Sequence, residues 1–298
     1  MSVDIAGSLD LVVVGAASRD IAIEDPRGWR LGGAATYCSL TAARLGLRVG
    51  VLLGLDAEAA EGAGDELEML TSAGVTVSIV RLEHGPVFEN IERDGHRRQR
   101  WLSRSDPVPP PALPEEWRET AAWLLVPVAG EVGEEWAAAV PADSAVGVGW
   151  QGTLREFAPD GWVERVAPRQ SALLAAAGLV VASVDDLDRR ARFKALRPLA
   201  PRADIVLTAG EGGGMALCGA RLIRYRSPRP EEFVDPTGAG DVFLAALMTA
   251  WLLTGDAATP ATLGFAAAAG SCAVEGVGLA GVPTRGQVVA RLRARRGV

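Results

Sequence analysis

The sequence has 298 residues, of which 49% are hydrophobic and 22% are charged, and its net charge is −7. This composition supplies enough apolar material for a packed core and excludes a disordered chain, while the length fits one large α/β domain or two small ones. The acidic balance, with no basic stripe to offset it, predicts that nucleic acid is not a partner.

Lysine, histidine and cysteine are scarce, and their positions exclude several kinds of site. Lys194 is the only lysine and has no glycine-rich loop around it, so the sequence contains no P-loop. Two histidines and three well-separated cysteines cannot form a CxxC zinc site, an HExxH motif or a disulfide framework. The first residues lack the pattern of a signal peptide and no apolar run is long enough to span a bilayer, so we expect a cytoplasmic protein that does not bind membranes.

Short apolar runs alternate with stretches of helical spacing through the first two thirds of the chain. Continuous apolar runs of this length are typical of strands that are covered on both faces. They lie at 9–15, 47–54, 75–80, 122–128, 144–150, 178–183 and 203–210, and the helical stretches include 33–46, 57–74 and 169–178. The alternation predicts a parallel sheet with right-handed crossovers, in which ligands bind at the carboxyl ends of the strands.

Two polar segments interrupt this alternation and predict a small accessory sheet. Residues 19–31 and 86–104 have the pattern of polar, alternating strands, with turn signals at Asp25-Pro26 and Asp94-Gly95. We expect one domain spanning residues 1–298, into which these two segments are inserted as a lid over the strand ends. An exposed edge of the lid would allow a homodimer to form by strand pairing.

The rest of the chain combines connectors with two very apolar helices. The proline-rich stretch 106–116 is interpreted as a non-helical connector. Residues 215–227 predict a hairpin, and residues 231–234 have a strand-like composition. The stretches 241–255 and 261–278 contain long helices that are too apolar for the surface, so we expect them to pack inside.

The sequence DPTGAGD at 235–241 combines small residues with an acid at the start of the first of these helices. Gly238, Ala239 and Gly240 let an anion approach the free N–H groups and the positive dipole end of the helix. Asp241, in the first turn just behind them, is placed to take a proton from a hydroxyl that attacks phosphorus. Aspartate is also favourable as a helix cap, so the spacing alone leaves both roles open.

The order of motifs along the chain points to one family. In order they are GGAATYCSLTAARLG (32–46), GLD (54–56), GV (74–75), TAGEGGG (208–214), DPTGAGD (235–241) and AVEGVG (273–278). This series resembles the ribokinase-like (PfkB) carbohydrate kinases, whose closing signature, D-[TP]-x-G-A-G-D before an apolar helix, is satisfied at every position. The resemblance implies a three-layer α/β/α fold with a mainly parallel sheet, and an ATP-dependent kinase activity. The segment VGWQGTLREF at 148–157 resembles a branch that includes inositol-kinase-like and nucleoside-kinase-like members.

The resemblance also implies roles on the donor side. Asp241 would be the catalytic base, and the backbone of Gly238, Ala239 and Gly240 would form the anion hole for the γ-phosphoryl group. Because no P-loop lysine or arginine finger is indicated, Mg²⁺ bound to ATP is expected to neutralise the phosphate charge. The implied ATP-binding positions are Thr208, Gly210, Gly213, Ser183, Asp186 and Ala267. The last three depart from the usual residues, because Ser183 and Asp186 replace an N-x-x-E pair and Ala267 replaces an asparagine near the base.

On the acceptor side, the resemblance and the polar strands together indicate a second set of residues. These substrate-binding positions are Asp20, Gly32, Gly33, Tyr37, Asn90, Gln151 and Arg155. Tyr37 stands where the family usually has asparagine, and a purely packing role for it is equally open. For Arg155, one of many arginines in the chain, a role at the surface is the alternative.

A monovalent cation site is implied beside the anion hole. Asp235 and the loop from Glu275 to Gly278 match the positions where many relatives hold such a cation, K⁺ being the expected ion. Its ligands would be main-chain carbonyl groups, which a sequence does not identify.

We therefore expect a kinase that phosphorylates a hydroxyl of a small sugar, an inositol-like polyol or a nucleoside. A regulatory protein that binds nucleotide or sugar on the same fold, with reduced turnover, is the alternative, because Tyr37, Ser183 and Ala267 depart from the family pattern. The intact DPTGAGD argues against that alternative, since a sensor does not need a base at Asp241. A dinucleotide-binding dehydrogenase is disfavoured because the loop after the first predicted strand lacks G-x-G-x-x-G.

Overall fold

A nine-stranded sheet forms the centre of the protein. The structure is a computed structural model and describes residues 8–93, 96–187 and 193–296. Its strands are β1 (Leu11–Ala16), β2 (Ser18–Ile21), β3 (Trp29–Gly32), β4 (Val49–Leu55), β5 (Thr76–Arg81), β6 (Val87–Arg93), β7 (His96–Ser103), β8 (Ala122–Leu125), β9 (Ala145–Gly149), β10 (Arg155–Phe157), β11 (Val163–Arg165), β12 (Leu179–Ser183), β13 (Asp204–Thr208), β14 (Gly214–Cys218) and β15 (Arg221–Tyr225). Its α-helices are α1 (Ala34–Arg44), α2 (Ala57–Gly62), α3 (Gly64–Ser72), α4 (Trp136–Ala139), α5 (Ala172–Ala176), α6 (Phe193–Leu196), α7 (Ala239–Thr254), α8 (Pro260–Ala273) and α9 (Arg285–Arg296).

The strand order of the large sheet is β15-β14-β13-β12-β9-β8-β1-β4-β5. Neighbouring strands from β13 to β5 in this order are parallel, and only β14 and β15 are antiparallel to their neighbours. The seven predicted apolar runs are the seven parallel strands, and the predicted hairpin is β14–β15. Strand β5 differs from the expectation of full burial, because it is the edge strand and leaves Ile79 47% exposed.

Alternate residues of each inner strand face two separate cores. Leu11 and Val13 of β1 pack in one hydrophobic cluster with α1, α7 and α8. Val12 and Val14, on the opposite face, pack in a second cluster with α4, α5 and α6. Because side chains alternate across a strand, burial on both faces requires helices on both sides of the sheet. The predicted three-layer α/β/α fold is confirmed.

Helices α7 and α8 lie inside the protein, as their apolar composition predicts. Residues 242–250 of α7 are all buried, and α8 is buried along most of its length. Helix α7 ends at Gly255, which has a φ of +81°, the left-handed conformation that glycine adopts at helix C-termini. None of the helices in the described part of the chain is long and apolar enough to cross a membrane.

The polar segments form the separate small sheet that the sequence predicts. Its order is β3-β2-β6-β7, with β2 and β6 parallel and the other pairs antiparallel. The predicted turn at Asp94-Gly95 lies outside the described residues. A hairpin formed by β10 and β11, which the sequence did not indicate, adjoins the small sheet. The backbone N–H of Trp101 in β7 donates to the carbonyl of Gly161, in the turn of this hairpin, at 2.9 Å.

Three expectations about secondary structure need correction. Residues 231–234 do not form a strand, because Pro228, Pro230 and Pro236 flank them and proline offers no N–H to a ladder. The predicted helix at 57–74 is broken at Ala63, between α2 and α3, and the one at 169–178 is reduced to the five residues of α5.

The connector at 106–116 is also more ordered than predicted. It contains a 3₁₀ turn at Pro110–Ala112 and leads directly into a second one at Glu115–Trp117. Val108, Leu113 and Trp117 are buried in the second core cluster. The apolar side chains between the prolines therefore anchor this connector to the sheet.

Candidate active site

A large cavity of about 1360 Å³ lies where the carboxyl ends of β9, β12 and β13 meet the small sheet and the start of α7. This is the edge at which open α/β sheets bind ligands. Most of the predicted site residues line the cavity: Asp20, Gly33, Asn90, Gln151, Arg155, Ser183, Asp186, Thr208, Gly210, Gly213, Gly238, Ala239, Gly240, Asp241 and Ala267. The remaining five, Gly32, Tyr37, Asp235, Glu275 and Gly278, are not among its lining residues.

The N-terminus of α7 opens into this cavity. Gly238 is the N-cap and has a φ of +77°, and its carbonyl accepts the first helical hydrogen bond from the Val242 N–H at 2.8 Å. No side chain caps the helix within the described residues, and of the first helical N–H groups that of Ala239 has a long bond to the Pro236 carbonyl at 3.3 Å. Gly240 has open space where a Cβ would stand. An anion can therefore approach the backbone of this turn closely.

Tyr37 lies beneath this turn and is not among the residues that line the cavity. Its ring occupies the place where a Cβ at Gly238 would point, and only 3% of the residue is exposed. The packing alternative therefore describes Tyr37, and the substrate-contact interpretation does not. The same contact explains why position 238 needs glycine, since both its positive φ and the tyrosine ring exclude a larger residue.

Asp241 lies in the first turn of α7 and faces the cavity. Burial raises the pKa of Asp241 from its ordinary value of 3.8 to about 7. The positive charge of Arg155 opposes this rise in the pKa, whereas the carboxylates of Asp186 and Asp20 add to it. A carboxylate whose pKa lies near neutrality is suited to accept a proton.

Arg155 lies inside the cavity, which excludes the surface role that was its alternative. One guanidinium nitrogen donates to Asp186 Oδ1 at 2.7 Å, and another donates to Gln99 Oε1 at 2.8 Å. The Gln99 amide donates in turn to Asn90 Oδ1 at 3.1 Å. The side chains of Arg155 and Asp186 are 15% and 8% exposed, so this is a largely buried ion pair. The chain of contacts joins the end of β12 to the small sheet across the cavity.

This arrangement modifies the expectation that no side-chain cation is available near the phosphates. Arg155 is the positive charge that acts on Asp241. It was assigned to the acceptor side because it follows Gln151 in the segment QGTLR. In the structure it bridges the two sides, because its partners come from a loop after β12 and from β7.

The predicted donor-binding turns are positioned by local geometry. Ser183 and Asp186 form a capping box on a short 3₁₀ turn, in which the Asp185 N–H donates to Ser183 Oγ at 3.1 Å. Gly210 and Gly213 have φ values of +53° and +91° on either side of the turn after β13. A Cβ at Gly213 would overlap the backbone of Tyr225 and Arg226. The glycine there is thus required by the fold as well as available to a ligand.

On the small sheet, Asp20 is held in place by its neighbours. The Ser18 hydroxyl donates to Asp20 Oδ1 at 2.9 Å. A Cβ at Gly32 would overlap the Asp20 carboxylate, so this glycine makes room for the acid and does not itself line the cavity. Gly33, with a φ of +94°, caps α1 and lines the cavity.

The residues predicted near a monovalent cation are only partly brought together. The Asp235 carboxylate accepts hydrogen bonds from the Thr237 N–H at 2.9 Å and the Gly278 N–H at 3.3 Å. The Glu275 carboxylate is turned away and bonds Arg291, so its side chain is not free to bind a cation. Within the described residues no group of three or more His, Cys, Asp and Glu side chains could hold a metal ion.

Sequence reasoning missed two polar residues. Gln99, on β7, connects Arg155 to Asn90, but nothing distinguishes it from the other polar residues of that strand. Glu131 is 1% exposed, and its carboxylate accepts N–H groups from Ala16 at 3.1 Å and Ala129 at 2.8 Å, beside the ends of β1 and β8. Burial raises the pKa of Glu131, while these backbone hydrogen bonds lower it. An acid shortly after the apolar run 122–128 was the available signal, although Glu134 and Glu135 follow it closely in the sequence.

Solved structures share this fold over nearly the whole chain. A fructokinase with bound ATP from Xylella fastidiosa has a TM-score of 0.75 and 19% identity, covering 96% of this chain and 99% of that one. A pyrophosphate-dependent kinase in the ribokinase family, complexed with a pyrophosphate analog and myo-inositol, has a TM-score of 0.73 and 18% identity, covering 94% and 99%. The nucleoside kinase of Methanocaldococcus jannaschii has a TM-score of 0.70 and 18% identity, covering 97% and 100%. At these identities the likeness establishes the fold.

Sequence comparison adds a family match over part of the chain. No curated protein matches the chain at a significant level. Residues 173–285 match the model of the pfkB family carbohydrate kinases, a range that contains the donor-side turns and the whole DPTGAGD motif. The match and the fold agree with the order of motifs along the sequence. Residues 173–285 are therefore similar to the pfkB family carbohydrate kinases, and the chain as a whole has the fold of ribokinase-family kinases.

Proposed function

We propose that the protein transfers the γ-phosphoryl group of ATP to a hydroxyl of a small sugar, an inositol-like polyol or a nucleoside. The observation that carries the proposal is Asp241, whose pKa is raised to about 7, in the first turn of a helix that opens its N-terminus into the cavity. A base and an anion-binding backbone in adjacent positions are what phosphoryl transfer to an alcohol requires.

In this mechanism the backbone of Gly238, Ala239 and Gly240 binds the oxygens of the transferring group. Asp241 accepts the proton of the acceptor hydroxyl as that oxygen attacks phosphorus. Arg155 is close enough to Asp241 to lower its pKa, so we infer that it also contacts a phosphate oxygen when the donor displaces part of its pairing with Asp186.

The donor extends from this turn toward Thr208, Gly210 and Gly213, with Ala267 on the cavity wall near the nucleotide base. Asp186 and Ser183 are the oxygen-bearing side chains on this side of the cavity. Oxygen ligands suit Mg²⁺, which typically enters with the phosphates and keeps several waters. The ion would neutralise charge on the donor phosphates, with Asp186 the residue placed to hold it.

The acceptor lies against the small sheet, where Asp20 and Asn90 offer hydrogen bonds to hydroxyl groups and Gln151 lies nearby. The two inserted segments, 19–31 and 86–104, act as a lid that excludes water and so limits hydrolysis of the donor. The exposed edge of this lid is also the surface through which a homodimer would form.

A K⁺ ion beside the anion hole is the third part of the proposal. The Gly278 N–H donates to the Asp235 carboxylate at 3.3 Å. Asp235 comes shortly before the anion-binding turn, and Gly278 comes shortly after α8. Main-chain carbonyls of this region would be its ligands. Turnover that is the same with and without K⁺, in buffer free of Na⁺, contradicts this part alone.

The test measures acceptor-dependent release of ADP over a panel of sugars, inositols and nucleosides. Pyrophosphate is included as a second donor, because one structure with this fold is a pyrophosphate-dependent kinase. Turnover with at least one acceptor, lost in Asp241→Asn, supports the proposal. Binding of ADP and acceptor without turnover, at any pH between 6 and 9, would instead support the regulatory alternative.

A further inference from the structure

Helix α9 contacts the wall of the cavity through one arginine that the mechanism above does not use. Arg291 donates to Ser271 Oγ at 2.8 Å and, on the same nitrogen, to the Arg229 carbonyl at 3.3 Å. Its other terminal nitrogen donates to Glu275 Oε1 at 2.6 Å. The Arg291 side chain is only 11% exposed. One guanidinium group thus joins α8, the loop after α8 and the segment before α7.

Glu275 completes this clamp, which we define as Arg291 and Glu275 together. The same oxygen, Oε1, accepts the Glu231 N–H at 2.5 Å. Among residues 227–233, all of which the structure describes, no backbone group forms a hydrogen bond with another backbone group. Pro228 and Pro230 lack N–H donors altogether. The clamp therefore supplies polar anchoring that the segment cannot obtain from a strand or helix.

The clamped segment leads directly to the anion-binding turn. Three residues after Glu231, the N–H groups of Val234 and Asp235 both donate to the Val274 carbonyl, at 2.8 and 3.1 Å. Asp235 then accepts the Thr237 N–H at 2.9 Å, and Gly238 follows. These contacts follow one another along the chain between the clamp and the N-terminus of α7.

The clamp also lies behind the wall of the cavity on the donor side. Ser271, Val274, Pro230 and Phe233 all line the cavity, and Arg291 or Glu275 bonds within two residues of each of them. Neither Arg291 nor Glu275 lines it. Any effect of these two side chains on a ligand must be transmitted through the positions of the residues they hold.

We propose that Arg291 and Glu275 are positioning residues for the phosphoryl donor: by holding segment 229–231 to the end of α8, they set the place of the donor wall. The inference rests on the proposed function, which assigns the donor to this end of the cavity. It predicts a change in donor affinity with little change in the chemical step, because the clamp touches neither Asp241 nor the small sheet.

The experiment compares Arg291→Met with Arg291→Lys, and uses Arg293→Met, an exposed arginine on the same helix, as the matched control. The measured quantities are the dissociation constant for ADP with Mg²⁺, the KM for ATP, the KM for the acceptor, and kcat. For Arg291→Met we expect the dissociation constant and the KM for ATP to rise about tenfold, with kcat and the acceptor KM within about threefold of wild type, because loss of a charged hydrogen-bond network displaces the donor wall. Arg291→Lys restores part of the affinity, since an ammonium group can still bond Glu275, and Arg293→Met matches wild type.

The double variant Arg291→Met/Glu275→Met guards against a folding defect, because it leaves no unpaired carboxylate in the half-buried site. Its effect on donor affinity is expected to be less than the product of the two single effects, as for residues that act through one contact. Thermal melts confirm that each variant is folded at the assay temperature.

The outcomes separate the two proposals. If wild type turns over, the positioning role is wrong when Arg291→Met leaves donor affinity unchanged, or when it lowers kcat and raises both KM values together. The kinase proposal stands in either case. If wild type binds ADP without turnover and Arg291→Met weakens that binding, the clamp stands and the kinase activity is wrong. If wild type binds neither ADP nor pyrophosphate, both proposals fall.

Discussion

The substitution Asp241→Asn tests the proposed chemistry most directly. It removes the proton acceptor and keeps the size of the side chain, so the buried start of α7 is not repacked. A positioned general base typically contributes about 10²- to 10⁴-fold, and we expect kcat to fall by that factor. ADP binding should be equal or tighter, because a negative charge beside the phosphates is removed. Coupled ADP release with the best acceptor, and calorimetric binding of ADP, measure the two quantities.

The pH dependence gives a second reading of the same residue. With a pKa of about 7, the fraction of Asp241 that is deprotonated rises from about 10% at pH 6 to about 90% at pH 8. In the ligand-free protein the competent form therefore increases about tenfold over this range, and kcat/KM for the substrate that binds first should follow it. Arg155→Met is expected to move this acidic limb to higher pH, because the Arg155 charge lowers the pKa of Asp241.

Stability provides a control that needs no substrate. The folded-state pKa of Asp241 is raised above the ordinary value of 3.8, so the folded protein holds this proton more tightly than the unfolded chain does. The stability that this proton contributes is present below pH 4 and is lost as the pH rises toward 7. Since one pKa unit corresponds to about 1.4 kcal/mol, the loss has an upper limit of about 4 kcal/mol, and contact with cavity water makes it smaller.

Asp241→Asn has no such proton to lose. The melting temperature of the variant should therefore rise relative to that of wild type between pH 4 and pH 7, and remain parallel to it above pH 8. Near-normal turnover in Asp241→Asn refutes the assignment of the base. A melting-temperature difference that is flat from pH 4 to pH 8 refutes the raised pKa, and Asp241 would then be ionised over the whole assay range.

Three further predictions follow from the geometry of neighbouring residues. Gly238→Ala should lower kcat by at least about a hundredfold and destabilise the protein by more than about 1 kcal/mol, because the φ of Gly238 is positive and a Cβ there would meet the Tyr37 ring. Gly240→Ala, with open space around its Cβ, is the matched control for stability in urea melts. Glu131→Ala should lower the free energy of unfolding by about 3 kcal/mol or more, because it leaves buried N–H groups unpaired. Glu131→Gln should cost less, because it keeps one acceptor oxygen. Equal melting of wild type and both variants would overturn this structural role of Glu131. Chelation of divalent ions with EDTA should weaken ADP binding at least about tenfold, as measured by calorimetry, and unchanged binding would contradict the metal requirement.

Periodicity was sufficient to predict the central architecture. The seven apolar runs became the seven parallel strands because an inner strand of an α/β sheet needs apolar side chains on both faces, which leaves a run of consecutive hydrophobic residues. The two polar segments were recognised as a separate sheet by the opposite pattern. Strand β5 and residues 231–234 show the limit of this reasoning, since local composition does not reveal which strand lies at an edge or where prolines prevent pairing.

The site could be predicted where backbone conformation required a particular residue, and not where side chains meet across the fold. Gly213 and Gly238 were found because turns with positive φ leave a glycine signature in the sequence. The Arg155–Gln99 contact joins residues 56 positions apart, and no local pattern links them. Tyr37 illustrates the same limit, because its position in a family motif suggested a ligand contact and only its packing beneath Gly238 shows another use.

This protein has no P-loop lysine, and the charges around Asp241 account for the metal ion that is proposed to help it bind phosphates. Arg155 supplies one positive charge in the cavity, but Asp186 already pairs with it at 2.7 Å, and Asp20 and Asp241 add further negative charge. The arginine therefore offsets only part of the local negative potential, and the partial charge of the α7 N-terminus is about half of an elementary charge. These two groups balance only part of the charge of a multiply charged donor, and the proposed divalent cation on the donor would supply the rest. It follows that Asp186→Asn, which frees Arg155 for the phosphates, should tighten the binding of ADP measured in EDTA, and unchanged binding in EDTA would show that the pair with Asp186 does not limit Arg155.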